Sequence, residues 1–176
     1  MFTRSALHPM PEYFDRYINK CDDVSITDAI QRSIEEVANF PIALWHKLGD
    51  LVYAPGKWTV KDMLQHLIDT ERVFMFRALA TARRDKQSML SMEEDDYARE
   101  AQAGHRSIES LVDELRASHE SAKRMFESFT PEMLSLNCNG FKGQYSVASM
   151  GFILPGHQRW HMEVLAERYY PLISSE

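Results

Sequence analysis

The fold is decided by residues 59–84, which read TVKDMLQHLIDTERVFMFRALATARR. The apolar residues of this stretch recur at helical spacing. They form one broad stripe, made of Met63, Leu64, Leu67, Phe74, Met75 and Ala78. Thr59 is an N-cap residue type, and Asp62 places a negative charge in the first turn. Arg83 and Arg84 complement the helix dipole at the other end. The stretch therefore predicts one long amphipathic helix.

Three further stretches have the same periodicity, and they cover residues 27–48, 107–129 and 146–169. Pro41 lies within the first of them and Pro155 within the last, which predicts a kink or a restart at each proline. Four helices of about 22 residues, each about 33 Å long, are typical of a four-helix bundle. We therefore expect an all-α four-helix bundle.

The connections complete this prediction. Residues 85–105 join the second and third helices, and this length indicates a long crossover rather than a tight hairpin. The acidic segment 92–97 within the crossover is interpreted as a helix start or a solvated cluster. Residues 1–25 predict a strap or short helix over the core, and residues 137–143 predict a loop. Because no linker composition divides the chain, we expect a single domain over residues 1–176.

Charge and composition exclude several classes of function. The net charge of −6 leaves no broad basic surface, so we expect neither nucleic acid nor an anionic membrane as a partner. No run of about 18 apolar residues exists that could span a bilayer. The N-terminus lacks the apolar core of a signal peptide, which favours a cytoplasmic protein. Cys21 and Cys138 form no CxxC motif, and two isolated thiols suit a reducing compartment.

The histidines are the main candidates for chemistry. His157 and His161 are four residues apart on the last predicted helix, so both imidazoles project from one face. That spacing allows both to bind one metal ion at about 2.0–2.1 Å. Chance also produces this spacing often, so packed or surface histidines remain the alternative. His66 lies at the edge of the stripe on the second helix, where a lone histidine is more often a packed residue. Across a bundle from the pair, it could complete a three-histidine site with open positions.

Two segments carry a resemblance to a known family. The second helix begins WTVKDMLQHLIDTER at residues 58–72, and the last helix contains GHQRWH at residues 156–161. They resemble the signatures W-S/T-x-x-E-x-x-x-H-L-x-D-x-E-R and G-H-x-x-H-H of the DinB/YfiT-like metalloenzymes. The resemblance extends from about residue 25 to residue 171. It implies a bundle in which one divalent ion is held by the residues that match the family's ligands, namely His66, His157 and His161. Zinc, nickel, iron and manganese all accept imidazole ligands.

The chain departs from the family pattern at three positions. Trp160 stands where many relatives have a second adjacent histidine, and Asp62 stands where relatives often have glutamate. Pro155 replaces a residue that favours helix more strongly. None of these changes removes a ligand, although Trp160 is expected to alter the pocket.

Two carboxylates and one thiol are secondary candidates. Asp69, three residues after His66, could orient an imidazole through its distal N–H group, or be a solvated carboxylate. Glu71 lies near the middle of the apolar stripe and therefore needs a partner if it is buried. That partner is expected to be an arginine, and the alternative is a general base or a group that orients a metal ligand. Cys138, in the predicted loop, could be a reactive thiol or an inert one.

The resemblance implies an enzyme that uses a divalent metal ion and acts on a small molecule. Similar proteins include transferases that join a low-molecular-weight thiol to an electrophile, and hydrolases. In a transferase the ion binds the thiol as thiolate, and in a hydrolase it activates water. The alternative is a non-catalytic metal-binding module that acts in stress response or assembly as a homodimer. An open metal position beside a pocket favours the enzyme, and a fourth protein ligand favours the module.

Overall fold

The computed structural model describes residues 2–86, 91–140 and 142–173. These residues contain eight α-helices and one antiparallel hairpin. The helices are α1 Asp15–Ile18, α2 Ile26–Ala38, α3 Ile42–Leu48, α4 Val60–Ala82, α5 Glu94–Ala101, α6 Ile108–Glu127, α7 Pro131–Leu134 and α8 Val147–Val164. The strands of the hairpin are β1 Asn137–Gly140 and β2 Gly143–Ser146.

The four long helices α2, α4, α6 and α8 form a four-helix bundle, which confirms the expected fold class. Helices α2 and α4 each pack against both α6 and α8. The first two long helices of the chain therefore stand at opposite corners of the bundle, and α4 and α8 are neighbours. Ile30 and Phe152 are fully buried in one half of the core, and Trp45 and Leu111 are fully buried in the other half.

Helix α4 begins and ends close to the predicted positions. The Thr59 hydroxyl accepts a hydrogen bond from the Asp62 amide at 3.2 Å. In return the Asp62 carboxylate accepts one from the Thr59 amide at 2.9 Å. This capping box satisfies two backbone donors that the first turn leaves without helical partners.

The predicted helical stretch over residues 27–48 consists of two separate helices, α2 and α3. Helix α2 starts at Ile26, and its cap is Ser25, which accepts from the Asp28 amide at 3.1 Å. Pro41 has no N–H group and its ring crowds the preceding turn, so the chain leaves the helix after Ala38. Of the two outcomes expected at Pro41, the restart occurs.

Of the two outcomes expected at Pro155, the restart does not occur. Helix α8 continues through Pro155 to Val164 and is followed by a π-helical turn over Leu165–Tyr169. Every residue from 147 to 158 is buried. Packing of this segment against the rest of the bundle therefore maintains a helix that proline alone would weaken.

The remaining connections are more ordered than the sequence indicated. The crossover contains α5, whose first turn holds Glu94, Asp95 and Asp96, so the acidic segment is a helix start. The segment predicted as a loop over residues 137–143 is not a simple loop, because residues 137–140 form β1 and Gly143 begins β2. In the N-terminal strap, α1 packs on α8. The single-domain expectation for the chain stays a prediction. No helix in the described ranges combines the length and the apolar character that a membrane span requires.

Candidate metal centre

Three histidines from two neighbouring helices converge on one point, and we call them the three-histidine cluster. His66 comes from α4, and His157 and His161 come from successive turns of α8. The Nε2 atom of His157 lies 3.2 Å from Nε2 of His66 and 2.9 Å from Nε2 of His161. The ligand atoms of all three residues lie within 4.8 Å of one another. The structure therefore brings together the three residues that the sequence singled out.

The spacing of these nitrogen atoms fits a metal ion. Two nitrogen ligands at about 2.0–2.1 Å from one ion lie about 2.8–3.4 Å apart for bond angles between about 90° and 109°. Both measured separations, 2.9 and 3.2 Å, fall in this interval. Imidazole nitrogen is also a ligand type that divalent transition metals and zinc accept.

Neighbouring side chains hold the imidazole rings in place. The Trp58 ring lies against His66 with the ring centroids 4.6 Å apart, and the Tyr17 ring meets His157 edge-on at 5.0 Å. The backbone carbonyl of Trp58 accepts a hydrogen bond from the Tyr169 hydroxyl at 2.5 Å. The sequence did not single out Tyr17 or Tyr169, because aromatic residues in a strap or at a helix end carry no signal for such a role.

The Thr70 hydroxyl is a polar neighbour of His66. Its hydroxyl lies 3.4 Å from Nδ1 of His66, one helical turn earlier on α4. When Nδ1 carries the proton, it donates to this hydroxyl, and Nε2 then presents a lone pair to the centre of the cluster.

Burial keeps the three imidazoles neutral. Desolvation, with a smaller effect of His161, lowers the pKa of His66 to about 3. Desolvation lowers the pKa of His161 to about 4. The pKa of His157 lies well below its usual value, because of desolvation first and then the two neighbouring histidines. Neutral imidazole is the form that binds metal, so no proton has to be removed near neutral pH.

A cavity of about 60 Å³ adjoins the cluster, and we call it the α4 cavity. His66 and His157 line it at one end, and Arg77 lines it farther along α4. Within residues 2–86, 91–140 and 142–173, the cluster contains no fourth histidine, cysteine, aspartate or glutamate. The arrangement thus combines three nitrogen ligands with an adjoining cavity.

Asp69 does not orient an imidazole. Its carboxylate accepts a hydrogen bond from the Gln65 side chain at 2.9 Å and lies 3.9 Å from the Arg72 guanidinium. Desolvation raises its pKa above the usual value. Of the two roles considered for Asp69, a partly solvated carboxylate fits these contacts.

The partner of Glu71 is a histidine, so the expected arginine was wrong. Oε2 of Glu71 lies 2.6 Å from Nδ1 of His119 on α6, and both side chains are almost fully buried. The oxygen lies off the direction of the N–H bond, so the contact is an ion pair rather than a linear hydrogen bond. Burial opposes the charge on His119, but the Glu71 carboxylate outweighs it and raises the pKa of His119. The sequence contains one indication that His119 is buried: it lies one helical turn after Leu115, in the apolar stripe of α6.

This ion pair extends across the bundle. Nε2 of His119 lies 2.6 Å from Oε1 of Gln158 on α8. The Gln158 amide donates to the Ser33 carbonyl on α2 at 3.3 Å and to the Glu36 carboxylate at 3.1 Å. The polar chain therefore connects all four long helices.

One oxygen of Glu71 has no partner among the described residues. Oε1 is buried, and Glu71 lines a second cavity of about 10 Å³. Thr70 and His157 line the same cavity. Glu71 therefore shares an internal space with one member of the three-histidine cluster.

Trp160 and Cys138 lie in other surroundings. The Trp160 ring packs edge-on against Tyr17, with centroids 5.6 Å apart, and Lys20 lies 5.1 Å from its centroid. Cys138 is half-buried on β1, with its sulfur 3.8 Å from the Tyr145 carbonyl. Desolvation raises the pKa of this thiol, which disfavours the thiolate, so these surroundings fit an inert cysteine.

Comparisons with known proteins identify similar sequences and folds. The sequence profile of the DinB superfamily matches residues 7–165. Comparison with curated proteins gives no significant match. YfiT from Bacillus subtilis, described as a probable metal-dependent hydrolase with an unusual four-helix bundle topology, has a TM-score of 0.68 at 13% identity, over 93% of this chain and 89% of that chain. A mycothiol-dependent maleylpyruvate isomerase has a TM-score of 0.58 at 11% identity, over 93% of this chain and 62% of that chain. At these identities, the two structures establish the fold alone.

Proposed function

The chain belongs to the DinB superfamily, and on that premise we propose that it is an enzyme that uses a divalent metal ion and acts on a small molecule. His66, His157 and His161 would hold the ion through their Nε2 atoms. One observation carries the proposal: three neutral, desolvated imidazoles converge beside a cavity, with no fourth ligand among the described residues. Three protein ligands with an open position are typical of catalytic rather than structural sites.

The metal is zinc, nickel, iron or manganese, each of which accepts imidazole. A divalent ion held in this way supplies Lewis acidity and lowers the pKa of a thiol or a water molecule. The proposed reaction is the transfer of a low-molecular-weight thiol to an electrophile, or the hydrolysis of a small substrate. Support comes from YfiT, described as a probable metal-dependent hydrolase, and from the mycothiol-dependent isomerase, of which this chain spans about 62%.

Side chains around the three-histidine cluster position its imidazole rings. Trp58 and Tyr17 pack against the rings of His66 and His157. In the tautomer that binds metal through Nε2, the Nδ1–H group of His66 faces the Thr70 hydroxyl, 3.4 Å away. Glu71 acts as a positioning residue for His157. Its support is that Glu71 and His157 line the same internal cavity, and that Oε1 of Glu71 is buried with no partner among the described residues.

A non-catalytic metal-binding module is the second candidate, and it would suit a stress-response or assembly role. The open α4 cavity beside the cluster favours the enzyme over this module. The homodimer and the cytoplasmic location expected from the sequence stay predictions.

Metal content of the purified protein tests the proposal. We expect one ion per chain by elemental mass spectrometry, and loss of that ion in both His66→Ala and His161→Ala. His46→Ala is the control, because His46 is exposed and pairs with Glu109 outside the cluster. Circular dichroism verifies that each variant is folded. Unchanged metal content in both cluster variants would overturn the proposal. The loaded protein is then assayed with thiols against a panel of electrophiles, and with small esters and amides.

A further inference from the structure

We propose that His119 is a buried imidazolium that ties α4 and α8 together beside the three-histidine cluster, and that loss of its proton at alkaline pH releases this tie. His119 is thereby a positioning residue for Glu71 and Gln158, and all three line one internal cavity with His157. The inference concerns the metal-free chain, so it does not rest on the proposed function.

The orientation of the Gln158 amide decides how Nε2 of His119 is protonated. The amide nitrogen of Gln158 faces two acceptors, the Ser33 carbonyl at 3.3 Å and the Glu36 carboxylate at 3.1 Å. A flipped amide would place its carbonyl oxygen against both of these oxygen atoms and lose both hydrogen bonds. Oε1 of Gln158 therefore points toward Nε2 of His119, 2.6 Å away, and accepts a hydrogen bond from an Nε2–H group.

The second ring nitrogen of His119 faces a carboxylate. Oε2 of Glu71 lies 2.6 Å from Nδ1, and both side chains are almost fully buried. Two lone pairs at this distance would repel each other, so one of the two atoms carries a proton. A proton on Nδ1, together with the proton on Nε2, makes His119 an imidazolium paired with a carboxylate.

The charged and titratable groups around His119 favour the proton on the nitrogen. Glu71 faces the ring from α4, and Glu36 contributes a second negative charge from α2. On α8, burial keeps His157 neutral, and Arg159 pairs with Glu36 at 2.7 Å and offsets part of its charge. Burial by itself lowers the pKa of His119, but the Glu71 carboxylate outweighs it, with a smaller contribution from Glu36, so the pKa is raised.

Loss of the Nδ1 proton to solvent breaks this arrangement. The Nε2–H group still donates to Gln158, but Glu71 becomes a buried carboxylate without its cation, which strongly destabilises a protein core. Because folding raises the pKa of His119, its contribution to stability is complete below about pH 6.5. That contribution is lost as the pH rises through the folded-state pKa. The contact between α4, α6 and α8 is therefore weakened on the alkaline side.

Nitrogen-15 NMR of the metal-free wild-type protein tests the charge directly. At pH 7, both ring nitrogens of His119 should have the chemical shifts of protonated nitrogen, and Nδ1 should lose its proton only at higher pH. Backbone assignment identifies the His119 ring, so this measurement needs no variant. An unprotonated Nδ1 at pH 7 would overturn the inference, because the proton would then belong to Glu71.

Urea unfolding of metal-free protein between pH 7 and pH 8.5 tests the consequence. The equilibrium constant for unfolding should increase with pH, by up to about tenfold per pH unit for one proton. The double variant Glu71→Gln/His119→Gln should show a smaller increase. His46→Gln is the control and should keep the wild-type slope, because water surrounds the exposed pair of His46 and Glu109. Equal slopes for the wild type and the double variant would count against the inference.

Single and double variants at pH 7 test the pairing itself. His119→Gln leaves Glu71 as an unpaired buried charge, so its unfolding constant should exceed that of the double variant by at least about tenfold. Simple addition of the effects of Glu71→Gln and His119→Gln in the double variant would contradict a charged pair. Failure of the chain to bind zinc contradicts the proposed function instead, and it leaves these three results intact because each uses metal-free protein.

Discussion

Glu71 and Asp69 are two residues apart on α4, yet their surroundings give them different roles. Asp69 faces Gln65 and Arg72, whereas Glu71 faces His119 and the internal cavity beside His157. Sequence reasoning treated both as candidates to support the cluster, because spacing along a helix does not specify which side chains of other helices lie opposite. Only the packing of α6 against α4 makes His119 the partner of Glu71.

The first prediction separates these two carboxylates. Glu71→Gln should weaken zinc affinity about 10–100-fold, as is typical when a group that supports a metal ligand is lost. Asp69→Asn is the matched control and should leave the affinity unchanged. Competition titration with a chromophoric chelator gives the zinc affinities. His119→Gln breaks the same ion pair but leaves Oε1 of Glu71 at the cavity, so its effect on affinity should be smaller. Equal affinities for wild type and Glu71→Gln would remove Glu71 from the site.

The second prediction concerns the stability of the metal-free protein at low pH. The folded-state pKa of His161 is about 4 and that of His66 is about 3, against about 6.5 in the unfolded chain. The unfolded chain therefore binds more protons in this interval, and stability falls as the pH falls. The contribution of each histidine is complete above about pH 6.5 and is lost as the pH approaches its folded-state pKa.

Urea unfolding between pH 7 and pH 4.5 measures this effect. We expect the free energy of unfolding to decrease steadily over this range. His161→Gln should show a shallower decrease, because its side chain does not titrate. His8→Gln, at an exposed histidine of the N-terminal segment, should keep the slope of the wild type. Identical slopes for wild type and His161→Gln would contradict the assigned pKa of His161.

At the scale of elements, the close contact of α1 with α8 positions Tyr17 against His157. A Cβ atom on Gly156 would lie 2.0 Å from the backbone carbonyl oxygen of Tyr17, so only glycine allows this approach. Periodicity predicted the α8 helix but not this contact. The contact depends on where the strap folds back onto the bundle.

The third prediction follows from this contact. Gly156→Ala should force α1 away from α8, at a cost of about 1–3 kcal/mol or more in the free energy of unfolding. It should also weaken zinc binding, because Tyr17 would no longer pack on His157. Gly104→Ala is the control, since a Cβ there meets nothing within 4 Å. Chemical denaturation and zinc titration of both variants provide the comparison. Wild-type behaviour of Gly156→Ala would show that the approach of α1 does not matter.

Sequence reasoning succeeded for the elements whose signals are local. The N-cap and stripe of α4 lie within its own residues, so both were predictable. The sequence did not predict the continuous helix through Pro155 or the pairing of strands β1 and β2. In both cases packing against distant parts of the chain outweighs the local preference of proline and of turn residues.

At the scale of the molecule, the order of helices in the bundle creates the site. Because α2 and α4 stand at opposite corners, α4 becomes a neighbour of α8, and His66 can meet His157 and His161. The apolar stripes predicted that four helices pack together, but they do not specify which helices are adjacent. The two family signatures supplied that information, since they point to one ligand set on two helices.

Anomalous diffraction at the absorption edge of the bound metal is the most direct test of the central claim. Crystals of the protein should show one anomalous peak per chain, within about 2.0–2.2 Å of the Nε2 atoms of His66, His157 and His161. No other protein atom should lie within bonding distance of the peak. A peak at another position, a peak with a fourth protein ligand, or no peak from zinc-loaded protein would contradict the account.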